Sequence, residues 1–155
     1  MRNRSFYILL AIWFLAVFSA AAAAQSSRAS VPASEVNGTF RSYFHGKFKG
    51  SFNEIKTLAL GRGKLKIGLD LTYPFTDGTG ELSANIGQLT GIEEISGDTA
   101  VYSSEEFGVC RITIKFVRLG TIRVDEEGTN CGFGHNVTAG GSYMRFSKAK
   151  PEVRF

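Results

Sequence analysis

With 155 residues, 43% of them hydrophobic and 21% charged, the chain has the makeup of a folded domain rather than of a disordered polyelectrolyte. A formal net charge of +4 is too modest to argue for nucleic acid as a partner. Two cysteines and two histidines supply no Cys-x-x-Cys pair or other zinc-type spacing, and no nucleophile triad, phosphate loop or paired-carboxylate motif can be assembled, so the chain is read as a non-enzymatic protein needing no metal or cofactor.

Arg2 and Arg4 precede an apolar run from Phe6 to Ala20, and Ala21 to Ala24 lead into Gln25-Ser26-Ser27. This order predicts a secretory signal peptide over residues 1–24, cut after Ala24, and a periplasmic or secreted product. Its apolar core is shorter than a spanning helix needs, and no later run replaces it, so the mature chain is expected not to span a membrane. Residues 25–36, rich in serine and alanine, read as a flexible leader, and residues 37–155 as one domain.

The only tryptophan, Trp13, goes with the signal, while all 18 glycines remain. Glycines placed between runs of Phe, Tyr, Ile, Val and Thr predict short strands joined by tight turns. Strands are expected over 39–48, 55–60, 63–75, 80–88, 92–95, 99–103, 110–116, 122–124 and 141–147. The clearest are "GKLKIGLDLTYPF", where Leu65, Ile67, Leu69 and Leu71 alternate with polar residues, and "CRITIKFVRLGTIRV", where Cys110, Ile112, Ile114 and Phe116 do so before a turn at Arg118-Leu119-Gly120. About eight strands with no helices between them predict an all-β fold: a small antiparallel up-and-down barrel, or a barrel-like sandwich.

Two cysteines in an exported chain are most simply one disulfide, and Cys110 and Cys131 flank a single hairpin that can bring them together. In "NCGFGHNVTAGGSYMRFS", Gly132 and Gly134 then serve a turn beside the bridge, His135 is a loop histidine without catalytic neighbours, and Tyr143 and Phe146 are core or rim aromatics of the closing strand.

The run from Gly80 to Ser147, with "GEL", "SGDTAVY", a strand opening at Cys110 and "CGFGHNVTAGGSYMR", resembles a group of small exported bacterial proteins that end in Cys-Gly-x-Gly followed by Gly-x-Tyr. The overall plan is similar to the periplasmic lysozyme-inhibitor barrels. In the C-type inhibitor family a Ser-Gly-x-x-Tyr loop enters the enzyme cleft, together with a Tyr-x-x-x-Thr-Lys-Gly segment. Here Ser96-Gly97-Asp98-Thr99 begins like the first motif, Ala100 stands at the tyrosine position, and the second motif is absent.

Charge is segregated along the chain. Residues 38–66 carry Arg41, Lys47, Lys49, Lys56, Arg62, Lys64 and Lys66 against Glu54 alone. Residues 67–110 carry acids only: Asp70, Asp77, Glu81, Glu93, Glu94, Asp98, Glu105 and Glu106. In a closed barrel the first and last strands are neighbours, so the flanking basic stretches should merge on a face opposite the acidic one. Glu93, Glu94, Ser96, Gly97, Asp98, Glu105 and Glu106 are therefore the candidate partner-binding residues, facing a cationic envelope protein, while an anionic envelope polymer is the partner suited to the basic face. The function expected is an exported binding protein of the cell envelope, inhibitor-like towards a cell-wall-active enzyme. Carriage of a small apolar ligand inside the barrel is the alternative.

Overall fold

A computed structural model describes residues 30–154. The expected signal peptide and residues 25–29 lie outside the described residues. Eight strands follow in chain order: β1 (Gly38–Tyr43), β2 (Phe52–Gly61), β3 (Lys64–Thr76), β4 (Leu82–Ser96), β5 (Thr99–Ser104), β6 (Cys110–Arg118), β7 (Thr121–Gly128) and β8 (Gly141–Ser147). Each pairs antiparallel with the next, and β8 returns to β1, giving a closed up-and-down barrel. Among the described residues no helix is long and apolar enough to cross a membrane.

The period-2 alternation sets the core. Leu65, Ile67, Leu69 and Leu71 of β3, Ile112, Ile114 and Phe116 of β6, and Ile122 and Val124 of β7 all point inward and are buried, because one face of every strand must leave water. Phe40 of β1 meets Phe116 edge-to-face, with ring centres 6.3 Å apart. Tyr143 of β8 is fully buried, and its hydroxyl donates to the Ala139 carbonyl at 2.8 Å. Burial pushes that hydroxyl well above its ordinary pKa. These side chains fill the interior. Phe146, the other aromatic of β8, faces solvent instead.

Three sequence expectations are corrected. The expected strand over 39–48 stops at Tyr43, and the chain turns through a 3-10 segment at Gly46–Phe48, with Gly46 at φ 64°. The expected strands 80–88 and 92–95 are one continuous 15-residue strand, β4, which runs through Gly87 and Gly91. Those glycines break the sequence signal but not the strand, because each sits beneath an aromatic ring: a Cβ on Gly87 would fall 2.7 Å from the Phe133 ring, and one on Gly91 would fall 3.1 Å from that of Tyr102.

The third correction is the leader. A helical turn, α1 (Ala33–Val36), places Val36 in the core, and Val31 packs against it. The Thr57 hydroxyl donates to the Val36 carbonyl, and the inward-facing Arg145 of β8 donates to the carbonyls of Ser34 and Glu35. Expected as a flexible tail up to residue 36, the segment is part of the domain from Val31 onward. A buried valine and carbonyls bonded to core side chains hold it.

Candidate functional site

The barrel wall is zipped unevenly. β3 and β4 are paired over thirteen residues, from Lys64↔Glu94 to Thr76↔Leu82, and β5 is paired along its full length with β6. Between β4 and β5 there are only two pairs, Ile95↔Ala100 and Ser96↔Thr99, both at the turn where Gly97 adopts φ 62°. Beyond them the strands part. From Leu82 to Glu94, β4 has no strand partner on this side.

Strand geometry fixes which backbone groups face the gap. A residue's N–H and C=O point to the same edge and alternate along the strand. The Ile86 carbonyl faces the gap, since it accepts from the Gly134 N–H at 2.9 Å. Gln88, Thr90 and Ile92 share its parity, so their N–H and C=O groups open into the seam without a strand partner. The stretch from Leu82 to Ile92 contains no charge and no proline, and Leu82, Ile86 and Ile92 are exposed on its outer face. Charges and proline are the usual means by which an edge strand is protected from pairing, and neither is present here.

A cleft of about 200 Å³ occupies the seam, lined by Leu89 and Thr90 of β4, Tyr102 and Ser104 of β5, Glu106 and Phe107. At its closed end the Tyr102 ring and the Glu93 carboxylate both lie over Gly91, where a Cβ would meet them at 3.1 and 2.7 Å. The two side chains fill space rather than facing each other across a ladder. Half-burial pushes the Glu93 carboxyl above the ordinary carboxylate range. At the far end the Cys110–Cys131 disulfide ties the start of β6 to the loop between β7 and β8. That loop lays Phe133 over Gly87, puts the His135 carbonyl within 2.7 Å of Asn85 Nδ2, and seats Gly134 against β4 so closely that a Cβ there would meet the Ile86 carbonyl at 2.8 Å. Gly132, at φ 77°, passes under the Phe107 ring. His135 itself is an exposed loop residue. Among the described residues no three His, Cys, Asp or Glu side chains form a metal-binding group.

The structure thus places the sequence candidates around one feature without gathering them into one loop. Glu93 faces into the seam near its closed end, and Glu94 faces outward beside it. Glu105 and Glu106 follow the far end of β5, just beyond Ser104. Asp98 is buried: its carboxylate accepts from the Thr99 hydroxyl at 2.8 Å and its carbonyl from the Phe116 N–H at 2.8 Å, so it holds the turn. Ser96 is exposed in that turn. Ala100, at the position where the inhibitor motif carries tyrosine, points into the core. The unpaired edge itself has no sequence signal.

The acidic region is a strip rather than half of the barrel. β1 does lie beside β8, but Lys64 is the cross-strand neighbour of Glu94, and on the other side Lys115 and Arg111 of β6 pair with Thr99 and Ser103. Cations therefore border the strip on both flanks. On the opposite wall, Arg41 lies between the rings of Phe146 (3.6 Å) and Phe52 (3.9 Å) and binds Glu54 at 2.7 Å, stapling β8, β1 and β2 from outside.

Fold and site together define an eight-stranded antiparallel barrel with an apolar core and an open, acid-flanked seam between β4 and β5. Comparison of the chain with protein-family models, with curated proteins and with solved structures found no match.

Proposed function

We propose that this is an exported, non-enzymatic binding protein of the cell envelope, inhibitor-like towards a cationic cell-wall-active enzyme, and that the β4–β5 seam is its binding site. The observation that carries this reading is the seam: a wall left open along an uncharged strand edge, with Glu93, Glu94, Glu105 and Glu106 at its two ends. Export is supported by the signal-type N-terminus and by a disulfide in a chain with no free cysteine among the described residues. Carriage of a ligand within the barrel is disfavoured, because Phe40, Phe116, Tyr143 and the aliphatic rows already fill that space.

The test is titration of the processed protein against c-type, g-type and i-type lysozymes at low and moderate salt. Binding at micromolar concentration is expected for at least one enzyme, and exchanging the exposed Glu94 and Glu106 for lysine should slow association by about tenfold at low salt. No binding and no inhibition across the panel would remove the enzyme-inhibitor reading.

A further inference from the structure

Partners of a barrel can be engaged by loops, by a curved face or by backbone. Here the seam offers backbone: Gln88, Thr90 and Ile92 present donors and acceptors at strand spacing, over a stretch that carries neither charge nor proline. Resting on the reading of the seam as the binding site, we infer that it captures its partner by strand addition. An extended segment carrying lysine or arginine at alternate positions pairs with β4 along Gln88, Thr90 and Ile92.

Alternation dictates the segment's chemistry. An added strand puts every second side chain on the inner face of the wall, next to Leu89, Gly91 and Glu93. There an aliphatic stem covers Leu89 while its cationic head reaches Glu93, or Glu106 across the cleft. The intervening side chains lie outside, next to Ile86 and Ile92, which are 63% and 58% exposed, so β-branched apolar residues suit them. Among the described residues Glu93 has no cation within ion-pairing distance, and desolvation raises its carboxyl. An incoming ammonium or guanidinium relieves that. Cations are selected because residues 82–109 contribute Glu93, Glu94, Asp98, Glu105 and Glu106 and no Lys or Arg, while Lys64, Lys66, Arg111 and Lys115 on the bordering strands repel a basic chain laid anywhere but on the strip.

A second copy of the barrel is a poor occupant. The edge of β4 is recessed, with β5 on one side and the disulfide loop at its end, and the same edge of another copy carries the same obstruction. A single extended strand has neither encumbrance. Such recognition draws affinity from main-chain hydrogen bonds and specificity from the alternate side chains.

The experiment uses the disulfide-intact exported chain and, as probe, a capped heptapeptide of alternating valine and lysine, compared with the same peptide N-methylated on the residues that would bond β4. Amide exchange of Gln88, Thr90 and Ile92 should slow on adding the first peptide, and the N-methylated form should bind at least about tenfold more weakly at equal charge. Thr90→Pro provides the protein-side check. It removes a seam-facing N–H while leaving the β3 ladder intact, since proline is tolerated at such edge positions, and it should cost about the same factor with the melting temperature nearly unchanged. Equal affinity of the two peptides, or no protection at these amides, overturns strand addition. A lysozyme that binds wild type and Thr90→Pro equally would also overturn it while leaving the binding-protein reading in place. Protection by the plain peptide with no lysozyme bound would uphold strand addition and discard the enzyme-inhibitor reading.

Discussion

The closure between β8 and β1 and the junction between β4 and β5 invert what chain connectivity leads one to expect. β8 and β1 come from opposite ends of the domain, yet they are joined by three registered pairs with a bulge, sealed inside by Phe40 and Arg145 and outside by the Arg41 stack. β4 and β5 are joined by a two-residue turn and part after two pairs. Proximity in sequence lowers the entropy cost of closing a ladder but does not supply side chains that hold it shut. At the closure both faces carry packed aromatics. At the junction the inner face carries a carboxylate and a half-buried tyrosine over a glycine.

The largest effect that would separate the two regions is aromatic truncation. Phe40→Ala, at a fully buried position against Phe116, should cost ~3–5 kcal/mol. Tyr102→Ala, on a half-buried ring lining an open cleft, should cost only about 1 kcal/mol. Urea denaturation of the two variants measures both, and losses of equal size would show that the junction is packed like the closure.

Removing the disulfide sharpens the comparison from the other end. Replacing Cys110 and Cys131 together by alanine frees a loop spanning 21 positions, and the chain-entropy model gives a loss of about 3 kcal/mol. Because the bridge holds the loop that donates to Ile86, the effect should be local as well as global. The Gly134 amide, which donates to the Ile86 carbonyl, should exchange faster in the double variant, while amides paired between β6 and β7 keep their relative protection. Uniform loss of protection along the wall would mean the bridge supports the whole barrel and has no special bearing on the seam.

What the sequence revealed follows the same division. Leu65 to Leu71 and Cys110 to Phe116 alternate cleanly because each strand has one buried face, and that local requirement is written in adjacent residues. The disulfide was legible from the signal-type N-terminus and from the spacing of the two cysteines. The seam was not, because it depends on how far two strands stay in register after their turn, and no single residue encodes that. The continuity of β4 was hidden for a related reason: Gly87 and Gly91 lower strand propensity locally, and the rings they accommodate, Phe133 and Tyr102, come from elsewhere in the chain. The acids around the seam were visible as a run of one sign, but their division between two ends of a strand, and the burial of Asp98, required the fold.

The smallest expected effect concerns Glu93, and it tests whether the seam is open electrostatically as well as in hydrogen bonding. Burial raises its carboxyl in the folded state above the ordinary value of 4.5, so between that value and the raised one the folded chain binds more protons than the unfolded chain. Stability therefore falls as pH rises through this window, and above it the ionised carboxylate remains a standing cost. Glu93→Gln resembles the protonated form and carries no such cost. Wild type and variant should melt alike at about pH 4, and the variant should melt slightly higher at neutral pH, by an amount kept small because solvent still reaches the group. Differential scanning calorimetry at the two pH values checks the sign. A variant less stable than wild type at neutral pH would mean that a cation engages Glu93, and the junction would then resemble the closure: held by side chains, with no vacancy for a partner's lysine.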